Sequence, residues 1–367
     1  MPAAPRSSTS SSASTAAPAP DGPDQPKQGP ATRFLHFLGS HPILCLALLT
    51  PGIPEYLSTS SPVLDLAVNP VWFFLQLAIN IGQYTAGALL IREAMIRWGK
   101  GWASVFLLAA AYGITEEGLG DSTLVNSAHG TDGVLGWFGR YAGVNWVWST
   151  GVIAFHVIYS IGLPILLLGL ALPQTRGRSL IGGRGIGLAF FSLAATTGLE
   201  SAIVYSSDHF WIGAPLFLAG LAAIALLVFV AYRAPPQLLA ATAEEPTLSA
   251  RSAILIGFAV FPISFLLEYG FTSTAVPPAA IIGTEILVYA GLLEIVRRGV
   301  GRHRNEYVLV NLAFGFILWQ CFFGVLLTLG LPYTLPLVAV AVVFFLRLRR
   351  KYAPVPTVPA SANGSTT

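Results

Sequence analysis

Two adjacent glutamates interrupt the apolar run Ala111-Tyr112-Gly113-Ile114-Thr115-Glu116-Glu117-Gly118-Leu119-Gly120-Asp121. The surrounding segment, from Trp102 onward, has the length and composition of a membrane-spanning helix. An ionised side chain at membrane depth costs roughly 2.5 to 3.5 kcal/mol on insertion scales, so membrane proteins keep such groups facing their own interior. The run therefore predicts a transmembrane helix that carries a functional site.

The rest of the chain has the composition of an integral membrane protein. Of its 367 residues, 54% are hydrophobic and 10% are charged, and the mean hydropathy is +0.67. Soluble domains contain about 25% charged residues, so this composition excludes an ordinary soluble domain. Residues 1–30 are rich in Ser, Ala and Pro, which predicts a disordered tail and no cleaved signal peptide. Residues 31–352 form the predicted transmembrane domain, and residues 353–367 a second disordered tail.

Ten apolar segments are long enough to cross a hydrocarbon core of roughly 30 Å as helices. They are residues 36–57, 71–91, 102–119, 147–172, 186–206, 213–232, 252–275, 278–296, 307–330 and 333–347. With this count, all twenty Lys and Arg residues except Arg140 fall on one side of the membrane. The positive-inside rule makes that side cytoplasmic. The predicted fold is an all-α polytopic transmembrane bundle in the plasma membrane, with both termini in the cytoplasm.

A short internal similarity links the first and seventh spans. Glu55-Tyr56-Leu57-Ser58-Thr59-Ser60 and Glu268-Tyr269-Gly270-Phe271-Thr272-Ser273 share the pattern EYxxTS. Six spans separate the two copies, an even number, which predicts a parallel repeat of spans one to four as spans seven to ten. Chance similarity between apolar segments is the alternative, because the composition of membrane helices is so restricted.

Several polar side chains in other spans are expected near Glu116. At a rise of ~1.5 Å per residue, Glu116 lies about 21 Å from the inner end of its span, in the outer third of the bilayer. The residues expected at similar depth are Asn80 and Gln83 of span two, His156 of span four, Glu200 of span five, Glu268 of span seven and Glu285 of span eight. The simplest arrangement is a cluster of carboxylates around one histidine, open towards the outer face.

The spacing of these residues predicts their roles. Adjacent positions on an α-helix point about 100° apart, so Glu116 and Glu117 are expected to face different partners. Glu117 shares its face with Gly113, which predicts close helix packing, and Glu116 is the preferred catalytic carboxylate. His156 and Ser160 are one helical turn apart, so Ser160 is expected to support an imidazole that meets a carboxylate of span three. A hydrogen-bonding role for His156 in helix packing is the alternative to proton transfer.

The longest outer connection, residues 122–147, contains Arg140. As the one basic residue on the outer side, Arg140 is expected either to form a salt bridge with Glu116 or Glu117, or to bind a lipid phosphate within an interfacial aromatic belt. The chain has no GxxxxGK[ST], HExxH, GxSxG or CxxC pattern. Nucleotide, zinc-peptidase and serine-hydrolase sites are therefore not predicted, and neither are metal ligands or nucleic-acid binding.

The motifs of spans two to four resemble those of known membrane proteins. Leu90-Ile91-Arg92-Glu93, the run Ala111 to Leu119, and Phe155-His156 with Ser160-Ile161 are similar to an uncharacterised family of prokaryotic integral membrane proteins. More distantly, a glutamate pair followed by a histidine in a later span resembles the CAAX-protease and bacteriocin-processing family of intramembrane endopeptidases. In that family these side chains are taken to activate water for peptide hydrolysis, and the resemblance implies this role for Glu116, Glu117 and His156.

Three functions are consistent with these patterns. The first is an intramembrane hydrolase with an unknown peptide or small-molecule substrate, in which Glu116, Glu117 and His156 are catalytic. The second is a proton- or cation-coupled transporter, and the third a nonenzymatic membrane protein. The predicted partner is the lipid bilayer. The predicted binding residues are Arg140, Asn80, Gln83, Ser160, Glu200 and Glu268.

Overall fold

The computed structural model describes residues 37, 39–131, 133–244, 246–301, 305–328 and 334–354. Ten long helices lie in the compact unit of residues 38–367. They are α1 (Pro42–Leu57), α2 (Pro70–Arg97), α3 (residues 102–120), α4 (Trp146–Ala171), α5 (Gly183–Asp208), α6 (Ala214–Arg233), α7 (Ala250–Gly270), α8 (Pro278–Gly299), α9 (Glu306–Leu327) and α10 (Leu335–Tyr352). Short helical turns cover Asp65–Val68, Gly133–Gly136 and Pro173–Thr175. The predicted tails lie outside the described residues, apart from Ala353 and Pro354.

Each predicted span overlaps one of these helices, and the predicted all-α class is confirmed. Seven helices, α2 and α4 to α9, are long and apolar enough to cross a membrane. Helix α6 is almost entirely uncovered by the rest of the protein, since only 6% of its 18-residue apolar segment is buried. Apolar surface on this scale is stable only against another apolar environment, which indicates a membrane protein.

Local sequence explains where several helices begin. Pro70 occupies the first turn of α2, where its missing N–H costs nothing, and the side chain of Asn69 caps this helix by accepting from the backbone N–H of Trp72. Ser249 caps α7 and Asn305 caps α9 in the same way. Each of these caps satisfies one of the four N–H groups that have no partner within the helix.

Helices α7 and α9 pack with their backbones in close contact. A methyl group added at Gly257 would overlap with the carbonyl oxygen of Leu312, and one added at Gly315 would overlap with that of Ile254. Membrane helices gain van der Waals contact through small residues of this kind, because lipid provides no hydrophobic drive between helices.

One β-hairpin interrupts the described part of the connection between α3 and α4, which was predicted to be an outer one. Its strands are β1 (Arg140–Tyr141) and β2 (Val144–Asn145), which pair antiparallel with Arg140 opposite Asn145. The two turn residues, Ala142 and Gly143, both have positive φ, at 50° and 84°. A tight two-residue hairpin turn of this type requires positive φ angles at both turn residues.

Four of the described helices contain a π-helical segment, in which the backbone hydrogen bonds run from i to i+5. The segments are Gly52–Leu57 in α1, Ile81–Thr85 in α2, Ile114–Gly120 in α3 and His156–Gly162 in α4. Segments of this type are rare and frequently lie at functional sites. All four carry polar side chains into the space between α1, α2, α3 and α4.

Candidate functional site

The centre of this space is occupied by His156, with a carboxylate at each ring nitrogen. The Nε2 atom lies 2.8 Å from Glu117 Oε1, and the Nδ1 atom lies 2.9 Å from Glu116 Oε2. All three side chains are buried, with 1% of His156, 6% of Glu116 and 9% of Glu117 exposed. The structure therefore brings together the three residues that were predicted to be catalytic.

The prediction that Glu116 and Glu117 face different partners is wrong. Both contact His156, and each approaches a different nitrogen of the same ring. The prediction assumed α-helical geometry, but both glutamates lie in the π-helical segment Ile114–Gly120. A π-helix has more residues per turn than an α-helix, so adjacent side chains diverge by a smaller angle.

Close packing of α3 against α4 holds the ring at this position. A methyl group at Gly113 would lie 3.3 Å from His156 Cβ, so the glycine allows the two helices to approach. Ser160 Oγ lies 3.0 Å from His156 Nδ1, where its support of the imidazole was predicted.

A further pair of side chains fixes the orientation of Glu117. The Thr123 hydroxyl donates to Glu117 Oε2, and the Trp148 indole N–H donates to Thr123 Oγ1 at 2.9 Å. Neither residue was predicted from sequence. Thr123 follows the end of α3 and Trp148 resembles an interfacial anchor, so no spacing pattern connects them with the glutamates.

Tyr84 joins Glu116 to a third carboxyl group, Glu55 of α1. The Tyr84 hydroxyl oxygen lies 2.5 Å from Glu116 Oε1 and 2.6 Å from Glu55 Oε1. A phenol has one proton and can donate to one carboxylate at a time. Hydrogen bonding at both contacts therefore requires a proton on one of the two carboxyls. The result is a chain of acid–base groups that runs from Glu55 through Tyr84, Glu116 and His156 to Glu117.

Sequence reasoning missed Glu55 and Tyr84 as site residues. Glu55 was visible only as part of the EYxxTS similarity, within a span interrupted by Pro51 and Pro54. The available signal was an ionisable residue inside an apolar segment, the same signal that identified Glu116.

Two predicted binding residues form a neighbouring pair at the end of α3. The Gln83 amide donates to Glu200 Oε2 at 2.8 Å, and a methyl group at Gly120 would lie 2.5 Å from that same oxygen. Glu200 therefore lies against the segment that carries Glu116 and Glu117, although its hydrogen-bond donor is Gln83.

The remaining predicted residues lie in other networks. Asn80 donates to Ser61 Oγ at 3.1 Å and accepts from Gln76 at 3.0 Å, so it ties α2 to the connection after α1. Arg140 donates to Asn145 and, at 2.9 Å, to the carbonyl oxygen of Val125. These contacts stabilise the hairpin segment, and the salt bridge expected between Arg140 and Glu116 or Glu117 is not formed.

Glu268 belongs to a second acidic cluster on α7 and α8. Ser264 Oγ lies 2.5 Å from Glu285 Oε1, 3.3 Å from Glu268 Oε1 and 2.6 Å from the Tyr289 hydroxyl. Both carboxyl groups are buried. The expected single cluster of carboxylates around His156 is therefore divided into two.

The central triad also offers donors for a metal ion. Among the described residues, Glu116, Glu117 and His156 each supply one ligand atom, and these atoms lie within 4.8 Å of one another. Carboxylate oxygen and imidazole nitrogen are ordinary zinc ligands. In the arrangement described, however, both ring nitrogens already contact carboxylate oxygens, so a metal ion would have to displace one of these contacts.

Comparison of the chain with protein-family models, with curated proteins and with solved structures gives no match. The function is therefore argued from the geometry and chemistry of the site itself.

Proposed function

We propose that this protein is an intramembrane hydrolase in which the Glu116 carboxylate activates water beside His156. One observation carries the proposal: Glu116 Oε2 is buried, and its one polar contact among the described residues is His156 Nδ1 at 2.9 Å. A carboxylate oxygen with an unused lone pair next to an imidazole can accept a proton from water and share it with the ring.

The proposed reaction is hydrolysis of an amide bond in a membrane-associated peptide. Glu116 takes a proton from water while the water oxygen bonds to the carbonyl carbon. The C–N bond then breaks as the leaving nitrogen takes that same proton from Glu116, which His156 holds in place, and this gives a carboxylic acid and an amine. Glu117, held by Thr123, fixes the orientation and protonation of the ring, and Ser160 supports it from the Nδ1 side.

The proposed topology places this site in the outer third of the plasma membrane, with all ten helices spanning and both termini in the cytoplasm. The near-exclusive placement of Lys and Arg in alternate connections supports it. The resemblance to intramembrane endopeptidases supports the same reaction, since a glutamate pair and a histidine are the shared residues.

The test uses purified protein in liposomes with a library of lipidated peptides, and mass spectrometry to detect cleavage. Glu116→Gln is expected to lower the initial rate by about 10²- to 10⁴-fold, the range typical of a lost general base. Glu285→Gln is the matched control, because it makes the same change in a buried carboxyl of the second cluster. Wild-type cleavage by the Glu116→Gln protein would contradict the proposal.

Proton-coupled transport is the second candidate, and the chain Glu55–Tyr84–Glu116 favours it. Tyr84 between two carboxyls is suited to proton transfer along the helices. In this function Glu116, His156, Glu200 and Glu268 would bind or relay protons, with Glu55 and Glu268 at matching positions of the predicted repeat. A pH-sensitive dye inside the liposomes distinguishes the two functions. Transport predicts proton flux that Glu268→Gln abolishes, whereas hydrolysis predicts cleavage that the same substitution leaves intact.

A further inference from the structure

A large apolar cavity lies at the basic, predicted cytoplasmic end of the bundle. Its volume is about 920 Å³, within the range of ligand pockets. Helices α3, α4, α8 and α9 form its walls, and residues 238–241 of the connection before α7 also line it. It extends along α4 as far as Thr150 and Ile153, so it passes beside the segment that carries His156.

A second, smaller cavity of about 260 Å³ adjoins the first and is lined in part by charged residues. Trp102, Leu166 and Leu309 line both cavities, so the two lie side by side. The charged residues that line the smaller one are Arg92, Lys100, Arg176 and Glu306. Arg92 is paired with the buried Glu93 at 3.3 Å, so Lys100, Arg176 and Glu306 are the charged groups that face this end of the apolar space.

The cations of the smaller cavity are held in place by the protein and retain donors. Lys100 Nζ donates to the carbonyl oxygen of Ala234 at 3.1 Å, which uses one of its three protons. Arg176 Nη1 pairs with Glu306 at 2.7 Å and its Nε donates to Gly169 at 2.6 Å. Because a guanidinium has five N–H donors, Arg176 also has protons left for an anion.

We propose that the two cavities together bind one anionic phospholipid from the cytoplasmic leaflet. Its phosphate would lie near Lys100 and Arg176, and an acyl chain would fill the apolar cavity. Basic pockets between transmembrane helices on the cytoplasmic side bind anionic headgroups for this electrostatic reason, and the apolar walls supply the environment that an acyl chain requires. The proposal concerns binding alone and does not depend on hydrolysis at His156.

Native mass spectrometry of the full-length protein in detergent tests this inference. The protein is titrated with phosphatidylglycerol or with phosphatidylcholine of identical acyl chains. We expect phosphatidylglycerol to bind at least about fivefold more tightly, because its headgroup has a net negative charge whereas the choline cation of phosphatidylcholine offsets the phosphate. Equal binding of the two lipids would overturn the proposal, and this comparison requires no variant.

Two variants separate the headgroup from the acyl chain. Lys100→Gln is expected to weaken phosphatidylglycerol binding about fivefold, whereas Arg251→Gln, which removes an exposed cation at the same end outside both cavities, should leave it unchanged. Ala154→Phe places a ring in the apolar cavity and is expected to weaken binding of both lipids. Unchanged binding by the Lys100→Gln and Ala154→Phe proteins would show that lipid binds elsewhere.

Discussion

Replacing His156 with leucine tests whether its ring holds two buried carboxylates together. The substitution leaves Glu116 and Glu117 without the group that contacts them at 2.9 and 2.8 Å. Removing one partner of a buried ion pair typically costs about 3 to 5 kcal/mol, because the other charge stays buried. Tyr84 and Thr123 still donate to the carboxyls, and a carboxyl can also take up a proton. We therefore expect the free energy of unfolding to fall by about 3 kcal/mol, the lower end of that range.

A double-mutant cycle isolates the contact from the general effect of the substitution. In a Glu117→Gln background one of the two charges is already absent, so His156→Leu is expected to cost less by about 0.5 to 3 kcal/mol. The free energy of unfolding is measured by circular dichroism during denaturant titration in mixed micelles. The control cycle combines His156→Leu with Glu285→Gln, whose carboxyl lies in the second cluster, and its coupling should stay within about 0.5 kcal/mol.

If His156→Leu destabilises the wild-type and Glu117→Gln proteins by the same amount, the histidine and the glutamate do not interact. The arrangement of the site would then be incorrect.

Two further substitutions test other contacts with the same unfolding assay. Tyr84→Phe removes a hydroxyl between the buried Glu116 carboxyl and the half-buried Glu55 carboxyl, and it should cost about 1.5 to 3 kcal/mol, as expected for a hydrogen bond to a charged group. Tyr205→Phe, at an exposed position, should be neutral, and equal effects would contradict the contact. Gly151→Ala adds a methyl group that overlaps with the Glu268 carboxylate, so a loss of about 1 to 3 kcal/mol is expected. Gly198→Ala, a helical position with nothing within 4 Å, should be neutral or stabilising by up to about 1 kcal/mol.

The helices and the central triad could be predicted because their signals are strong in the sequence. Apolar segments of membrane length are rare in soluble domains, and each predicted span overlaps a helix. Ionisable residues inside such segments are costly, so Glu116, Glu117 and His156 were conspicuous. Ser160 followed from its position one helical turn after His156.

The lateral arrangement of the helices could not be predicted in the same way. Residue counting gives the depth of a side chain in the membrane but not which helices are neighbours. Glu268 was therefore placed in one cluster with His156, although it packs with Glu285 on α8. The π-helical segments also escaped prediction, because a 3.6-residue period was assumed throughout and the wider turns depend on tertiary contacts.

The central claim is that Glu116 and His156 activate water, and isotope incorporation tests it most directly. Cleavage of a lipidated peptide in H₂¹⁸O should place one ¹⁸O atom in the new carboxylate of the product. The account predicts that the wild-type and Glu285→Gln proteins form this labelled product and that the Glu116→Gln protein forms it at least about 10² times more slowly. Labelled product at the wild-type rate from the Glu116→Gln protein would contradict the account.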